Sequence, residues 1–312
     1  MKPFVLLLLL LLASLQAAER TRVMMGTFAT VSVPDAGAGC IDRAFSAMTF
    51  VEKALSSYDP AAEVYRLNRD KTLTISPALY DALQSAVRYY VQSSGYFDIT
   101  IGALSRGAYR FGEEERLPGR AEIAGLPIGL KLLEFNTTTA RLAPGAMLDF
   151  GGFGKGVGVD AAVNALRQCG VREGTVALSG DIRCIGRCLL AIQDPFSERT
   201  LISFESVAPE TGMSTSGDYR RYIGDKSHNH LIDPKTRSSE RSFASITLVG
   251  TVRSGDLDAW TTAAAVMPPE KSVAFLRTLP VGYVLIYNDG TMVESDNLSH
   301  YLRALEAKHE DD

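Results

Sequence analysis

Apolar residues recur along this chain at two spacings, and the spacing switches from segment to segment. Val23–Val33 alternates with period two, which predicts a strand buried on one face. Ala44, Phe45, Met48, Val51 and Leu55 fall three or four apart, so residues 40–56 predict an amphipathic helix. Pro77 opens a second helix carrying Leu79, Leu83, Ala86, Val87 and Tyr90, and Gly95 ends it. Residues 105–145 hold only short apolar runs and read as irregular. Lys155–Cys169 predicts a third helix, with Val159, Ala162, Val163 and Leu166 on one side. Short strands follow at Gly174–Leu178, Ile182–Ile185, Leu189–Gln193, Ile202–Val207 and Phe243–Gly250. Leu257–Met267 and Glu270–Leu279 return to helical spacing. Val281–Tyr287 and Thr291–Glu294 flank Asn288-Asp289-Gly290, a hairpin signature. A last helix is expected from about Leu298, ahead of a charged tail, Lys308–Asp312. Helices and strands intermix without regular β-α-β alternation, which predicts an α+β fold in one compact unit.

The N-terminus has a different character. Lys2 precedes the unbroken apolar run Val5–Leu12, and Ala13, Ser14, Ala17 and Ala18 follow. This is the pattern of a signal peptide over residues 1–18, and the run is shorter than the ~20 residues that span a bilayer. No cysteine stands directly after it to take a lipid. The expectation is a signal-cleaved, exported chain over residues 19–312, periplasmic in a Gram-negative host and without stable membrane insertion. The formal charge of −4 becomes one unit more negative once Lys2 is removed, which argues against a nucleic-acid partner. Export also makes disulfides possible for Cys40, Cys169, Cys184 and Cys188. Cys184-Ile185-Gly186-Arg187-Cys188 looks like a hairpin tip that a bridge could cross, or half of a zinc site. Four cysteines allow three pairings.

Several segments could carry chemistry. Leu148-Asp149-Phe150-Gly151-Gly152-Phe153-Gly154-Lys155-Gly156 puts four glycines and a lysine between an apolar run and a helix start. Such a loop can cradle phosphate on free N–H groups, or it can be a tight strand-to-helix turn. It matches neither a Walker loop nor a dinucleotide fingerprint. Ser227-His228-Asn229-His230-Leu231-Ile232-Asp233-Pro234 holds two of the four histidines, which would share one face of a strand. Asp258 and Thr262 lie one helical turn apart and together suit a hard cation, although Asp256 or Asp258 could simply cap the helix. Trp260, the only tryptophan, reads as packed. Ser179-Gly180-Asp181-Ile182 and Ser216-Gly217-Asp218-Tyr219 are acidic turns. Gly95-Tyr96-Phe97-Asp98-Ile99-Thr100 sets aromatics beside an acid.

Taken in order, these segments resemble the ApbE family of FAD:protein FMN transferases. The resemblance also draws on Met25-Gly26-Thr27, Leu55-Ser56-Ser57-Tyr58, Arg66-Leu67-Asn68 and Pro234-Lys235-Thr236, and it spans residues 25 to 262. It implies an ApbE-like α+β fold with mixed or antiparallel sheets and packed helices. It implies Mg²⁺-dependent transfer of the FMN half of FAD to a threonine hydroxyl of an acceptor flavoprotein, with release of AMP. By position, Met25, Tyr58, Tyr96, Phe97, Asp98, Lys155, His230, Leu231 and Ile232 would contact FAD. The carbonyl of Gly154 would hold the metal with Asp258 and Thr262. Attack of a weak hydroxyl nucleophile on a pyrophosphate needs charge neutralisation, positioning and a base. His230 is the candidate base, with Asp181 the second. The same residues could serve a Mg²⁺-dependent FAD pyrophosphatase, with water replacing threonine, or a non-catalytic FAD-binding protein. Arg237 stands where the family usually has glycine after D-P-x-T, which predicts a reshaped turn, and the family's usual lipid-anchoring cysteine is missing.

Overall fold

A computed structural model describes residues 17–218 and 221–305. The signal-like segment through residue 16, Tyr219 of the second acidic turn and the charged tail lie outside the described residues. Eight strands stand side by side in chain order, each neighbouring pair antiparallel. They are Ala17–Met24, Thr27–Pro34, Gly174–Leu178, Asp181–Ile185, Gly212–Gly217, Phe243–Gly250, Gly282–Tyr287 and Met292–Glu294.

On one face of this sheet, Ala29, Val31, Val33, Val176 and Leu178 pack against the helices Ile41–Leu55 and Gly154–Gln168. On the other, Cys184, Met213, Ala244, Val284 and Ile286 meet a three-stranded sheet of Leu189–Gln193, Thr200–Ser206 and Leu302–Ala304. Burial follows this layering. In Thr27–Pro34 buried positions alternate with partly exposed ones, because only one face is covered. Phe243–Gly250 is buried at every position, because both faces are covered. The largest core joins the helices Pro77–Gln92 and Ser254–Ala265 to Leu148, Phe150 and Phe153 of the glycine loop. These layers bear out an α+β fold with antiparallel sheets.

Four expectations need correction. Val23–Val33 is two strands, joined by a turn at Met25 (φ 49°) and Gly26 (φ 75°). The odd positions stay mostly apolar through the turn, so the periodicity does not mark it. Residues 105–145 are more regular than expected. They include most of a π-helical turn, Ala103–Ala108, the helix Arg120–Gly125, and the strand Thr139–Leu142, which pairs with Thr72–Thr74 on one side and Leu133–Phe135 on the other. The two histidines do not share a strand: Lys226–His228 is a 3-10 turn and pairing begins at Ile232. Among the described residues no helix follows Leu298: Leu298–His300 is one 3-10 turn and Leu302–Ala304 then pairs with Thr200–Ser206. Leu298 and Leu302 have helical spacing, but both enter the core between the two sheets, where a strand edge offers the backbone partners.

Two disulfides form, Cys40–Cys169 and Cys184–Cys188, so neither pair is free to bind zinc. The first ties the start of the Ile41–Leu55 helix to the end of the Gly154–Gln168 helix. Chain entropy assigns it about 5 kcal/mol for a separation of 129 residues, against about 2 kcal/mol for a separation of 4. Replacing Cys40 and Cys169 by alanine is therefore expected to cost more stability than replacing Cys184 and Cys188. Denaturant unfolding of the two double variants checks this, and an equal or reversed order would contradict it.

Candidate active site

The glycine loop is anchored before it begins. The amide of buried Asn68 accepts from the Leu148 N–H at 2.7 Å and donates to the Leu148 carbonyl at 2.9 Å. Asp149 then accepts from Ser105 Oγ at 2.6 Å and from the Gly151 N–H at 2.9 Å. The helix starts at Gly154 and runs directly into the start of the Ser254–Ala265 helix. A Cβ on Gly156 would lie 2.3 Å from the Ser254 carbonyl oxygen, so only glycine permits this approach.

The approach lets each helix cap the other. Asp258 accepts from the Gly156 N–H at 2.9 Å. Asp160 accepts from the Ser254 and Gly255 N–H groups at 2.8 and 3.0 Å. Asp258 is thus a cap, but of the opposite helix rather than its own. Asp256 binds Arg253 within its own first turn and reaches Tyr89 Oη and Arg88 on the Pro77–Gln92 helix. Trp260 is packed as expected, its Nε1 donating to Gln92.

Lys155 lies at the centre. Its Nζ is 2.8 Å from Asp181 Oδ2 and 3.3 Å from both oxygens of Asp258. Ser214 donates to the other oxygen of Asp181 at 2.6 Å. Both oxygens of Asp181 are therefore engaged, and it holds Lys155 rather than standing free as a base. Burial pulls the Lys155 pKa down, but the charges of Asp181 and Asp258 outweigh it and keep the ammonium charged. Burial and the Asp181 charge push the Asp258 carboxyl up, against the opposing pull of Lys155. Thr262 Oγ1 donates to the carbonyl of Gly152 at 3.0 Å. The Gly152 carbonyl thus faces Thr262, and Gly154 is the first residue of the helix.

The other predicted residues are held by separate contacts. Met25 donates its N–H to Glu52 at 2.8 Å, and its side chain lies against Gly154 and Gly158. Phe97 packs with Tyr89 and Phe153 and closes on Gly152, bringing the aromatic segment to the loop. Tyr96 carries the Lys235 ammonium 3.8 Å above its ring, and its Oη is 3.2 Å from Lys271 Nζ. Asp98 is buried and held by the N–H and Oγ1 of Thr100. Leu231 and Ile232 point into two different cores. Tyr58 is half-exposed, and its Oη is joined to Arg221, whose carbonyl lies 3.2 Å from His230 Nδ1. A carbonyl only accepts, so in the neutral imidazole Nδ1 carries the proton and Nε2 the lone pair. Burial first, then the Arg221 charge, lowers the His230 pKa to about 4, so the ring is neutral near pH 7.

A model of the ApbE family matches residues 25–285. The chain belongs to the ApbE family. An FAD:protein FMN transferase of Rhodobacter capsulatus is 28% identical over 251 residues, covering 76% of this chain and 47% of that protein, so the chain spans about half its length. One of Salmonella typhimurium is 25% identical over 258 residues, 76% of this chain and 73% of that protein. The crystal structure of the ApbE protein of Thermotoga maritima superposes with a TM-score of 0.84 at 22% identity, over 92% of this chain and 100% of that one. The flavin transferase ApbE of Vibrio cholerae gives 0.78 at 22% identity, over 92% and 99%. These likenesses show that the fold is that of ApbE proteins.

At the turn that departs from the ApbE pattern the conformation and its anchors are defined. Arg237 itself takes the left-handed conformation at φ 59°, and its guanidinium is held by the carbonyls of Ile123 and Ala124 at 2.7 and 2.8 Å. Residue patterns did not point to Gly152, Ser214 or Arg221. Each acts through one contact set by tertiary placement, and a glycine carbonyl has no side-chain signature. Gly156→Ala is expected to separate the two helix starts and lower stability by roughly 1–3 kcal/mol, the usual range for overpacking. Thermal unfolding checks it, and an unchanged melting temperature would show that the helices yield freely at this crossing.

Proposed function

We propose that this chain is an FAD:protein FMN transferase acting on an exported acceptor flavoprotein. A threonine Oγ of the acceptor forms a bond to the FMN phosphorus, the pyrophosphate P–O bond breaks, and AMP leaves. The observation that carries this reading is the buried Lys155–Asp181–Asp258 cluster beneath a glycine loop, with His230 held neutral nearby, in a chain of the ApbE family.

The charge of that cluster decides what else must bind. Two carboxylates against one ammonium leave a net negative charge in a buried place, the wrong sign for a pyrophosphate. A divalent cation reverses it. Asp258 brings a carboxylate, Thr262 a hydroxyl and Gly152 a carbonyl, an all-oxygen set that suits Mg²⁺. These three residues would hold the ion, which when bound neutralises and polarises phosphate oxygens. Among the described residues no three His, Cys, Asp or Glu side chains form a metal cage, so the ion would lean on substrate oxygens and bind more tightly with FAD present. Lys155 bridges Asp181 and Asp258 through one ammonium. His230 Nε2 takes the threonine proton while the Arg221 carbonyl fixes the ring. Export to the periplasm belongs to the same proposal, supported by two disulfides suited to an oxidising compartment.

The direct test incubates the protein with FAD, Mg²⁺ and an acceptor domain containing a threonine. Flavinylated acceptor with equivalent AMP supports transfer, free FMN with AMP indicates hydrolysis, and intact FAD indicates a binding protein. For Asp258→Asn, metal-dependent AMP release should fall at least ~10²-fold at low Mg²⁺ and recover in part with excess metal. Full activity at low Mg²⁺ would remove Asp258 from the metal site.

The pH dependence has a definite sign. Protonated His230 cannot accept a proton, so kcat/KM should rise with pH through about 4 and be level by the ordinary imidazole range. His230→Ala should lower the rate by ~10²–10⁴ and erase this limb. A limb near 4 that persists in the variant would exclude His230 as the base.

A further inference from the structure

The π-helical turn Ala103–Ala108 makes one contact already described, from Ser105 to Asp149, and one that the site above does not use. It is pressed onto the chain entering the glycine loop: a Cβ on Gly102, the residue before it, would lie 2.6 Å from the Met147 carbonyl oxygen. From this fixed start, consecutive residues reach two different loops. Ser105 donates to Asp149 of the glycine loop at 2.6 Å. Arg106 places its guanidinium carbon 3.5 Å from the centroid of the Tyr58 ring.

Arg106 is well determined in this position. It is only 7% exposed, whereas Tyr58 is 43% exposed. Nη1 donates to the Phe111 carbonyl at 2.9 Å, and Nη2 donates to Glu113 at 2.7 Å and to the Ser57 carbonyl at 3.4 Å. Tyr58 Oη donates to the same Phe111 carbonyl at 3.1 Å, so ring and guanidinium share an anchor. Nε is buried and has no hydrogen-bond partner among the described residues. A buried N–H left unpaired is costly, and here it accompanies a guanidinium laid against an aromatic face. π-helical turns carry an extra residue per turn and are found frequently at functional sites.

We infer that Arg106 is a positioning residue for FAD, setting the plane of the Tyr58 ring against the glycine loop that Ser105 holds through Asp149. The inference rests on the transferase reading, in which Tyr58 meets FAD. Arg106 itself does not touch the substrate. Its loss should weaken FAD binding through Tyr58 and leave the chemical step largely alone.

The test is a double-mutant cycle of Arg106→Lys with Tyr58→Leu, read by FAD affinity from flavin fluorescence and by KM and kcat for AMP release. Lysine keeps the charge but loses the flat guanidinium face. Arg106→Lys alone should raise Kd and KM for FAD by roughly 5- to 30-fold, with kcat changed less than about 3-fold. In the Tyr58→Leu background the same change should alter Kd by less than about 2-fold. An equal effect in both backgrounds, or none in either, would overturn the inference. Arg106→Gln, which keeps a planar end group, is the second variant, with melting temperatures recorded throughout. If neither Arg106 variant folds, the residue is structural and the inference also falls. A wild type that neither binds FAD nor releases AMP would sink the transferase reading itself, which separates that failure from the failure of this one.

Discussion

The site depends on an exchange of caps between two helices. The first N–H groups of each have no partner within their own helix, and each set is met by a carboxylate from the other. Asp258 serves Gly156, and Asp160 serves Ser254 and Gly255. The exchange works only because Gly156 has no Cβ to strike the Ser254 carbonyl. Asp258 is therefore placed by two helices at once. Further ties extend this frame. Asp256 adds the Pro77–Gln92 helix through Arg88 and Tyr89, and the Cys40–Cys169 bridge fastens the far end of the glycine-loop helix to Ile41–Leu55. The glycine loop is one end of a braced assembly rather than a free turn.

Within that frame the charges are left unbalanced. Burying Asp181 and Asp258 around a single lysine is unfavourable for a chain concerned only with stability, since desolvation of a carboxylate is only partly offset by one shared ammonium. Ser214 and the Gly156 N–H reduce the cost without removing it. Perturbed carboxylates of this kind cluster at functional sites, where another charged species completes the balance. Under the proposed function, an oxygen-ligated divalent cation with its phosphate ligands would do so, and the same few residues would serve both metal and substrate.

Much of this was legible in the residue pattern, for a physical reason. The helices Ile41–Leu55, Pro77–Gln92 and Gly154–Gln168 each bury one stripe, so their spacing survives in the sequence. The loop glycines and the Asp258–Thr262 pair are side-chain signals and could be read directly. What stayed hidden is carried by the backbone or by distant partners. The turn at Met25-Gly26 falls in phase with the alternation on either side. The strand at Leu302 exists because Thr200–Ser206 offers an edge. The Gly152 carbonyl and the π-helical turn leave no compositional trace, and Asp160 and Ser214 become meaningful only once the chain brings their partners to them. The two histidines, two residues apart in sequence, are separated because His228 ends a 3-10 turn and the extended Asn229 after it is buried.

The remaining strain is also placed where the site needs it. Among the described residues, seven non-glycine residues take positive φ, and Met25, Ser94, Ser179 and Arg237 all border segments that converge on the site. Each such residue costs on the order of 1–2 kcal/mol and persists only where its surroundings over-determine it. Those surroundings are visible. Glu52 accepts from the Met25 N–H, Val91 from that of Ser94, Phe28 from that of Ser179, and two carbonyls hold the Arg237 guanidinium. A left-handed residue reverses the chain within one or two positions. It can therefore aim Tyr96, Asp181 and the His230 segment inward from elements whose own axes run past the site. At Arg237 a non-glycine residue takes the left-handed conformation, and carbonyls of the Arg120–Gly125 helix hold its guanidinium there.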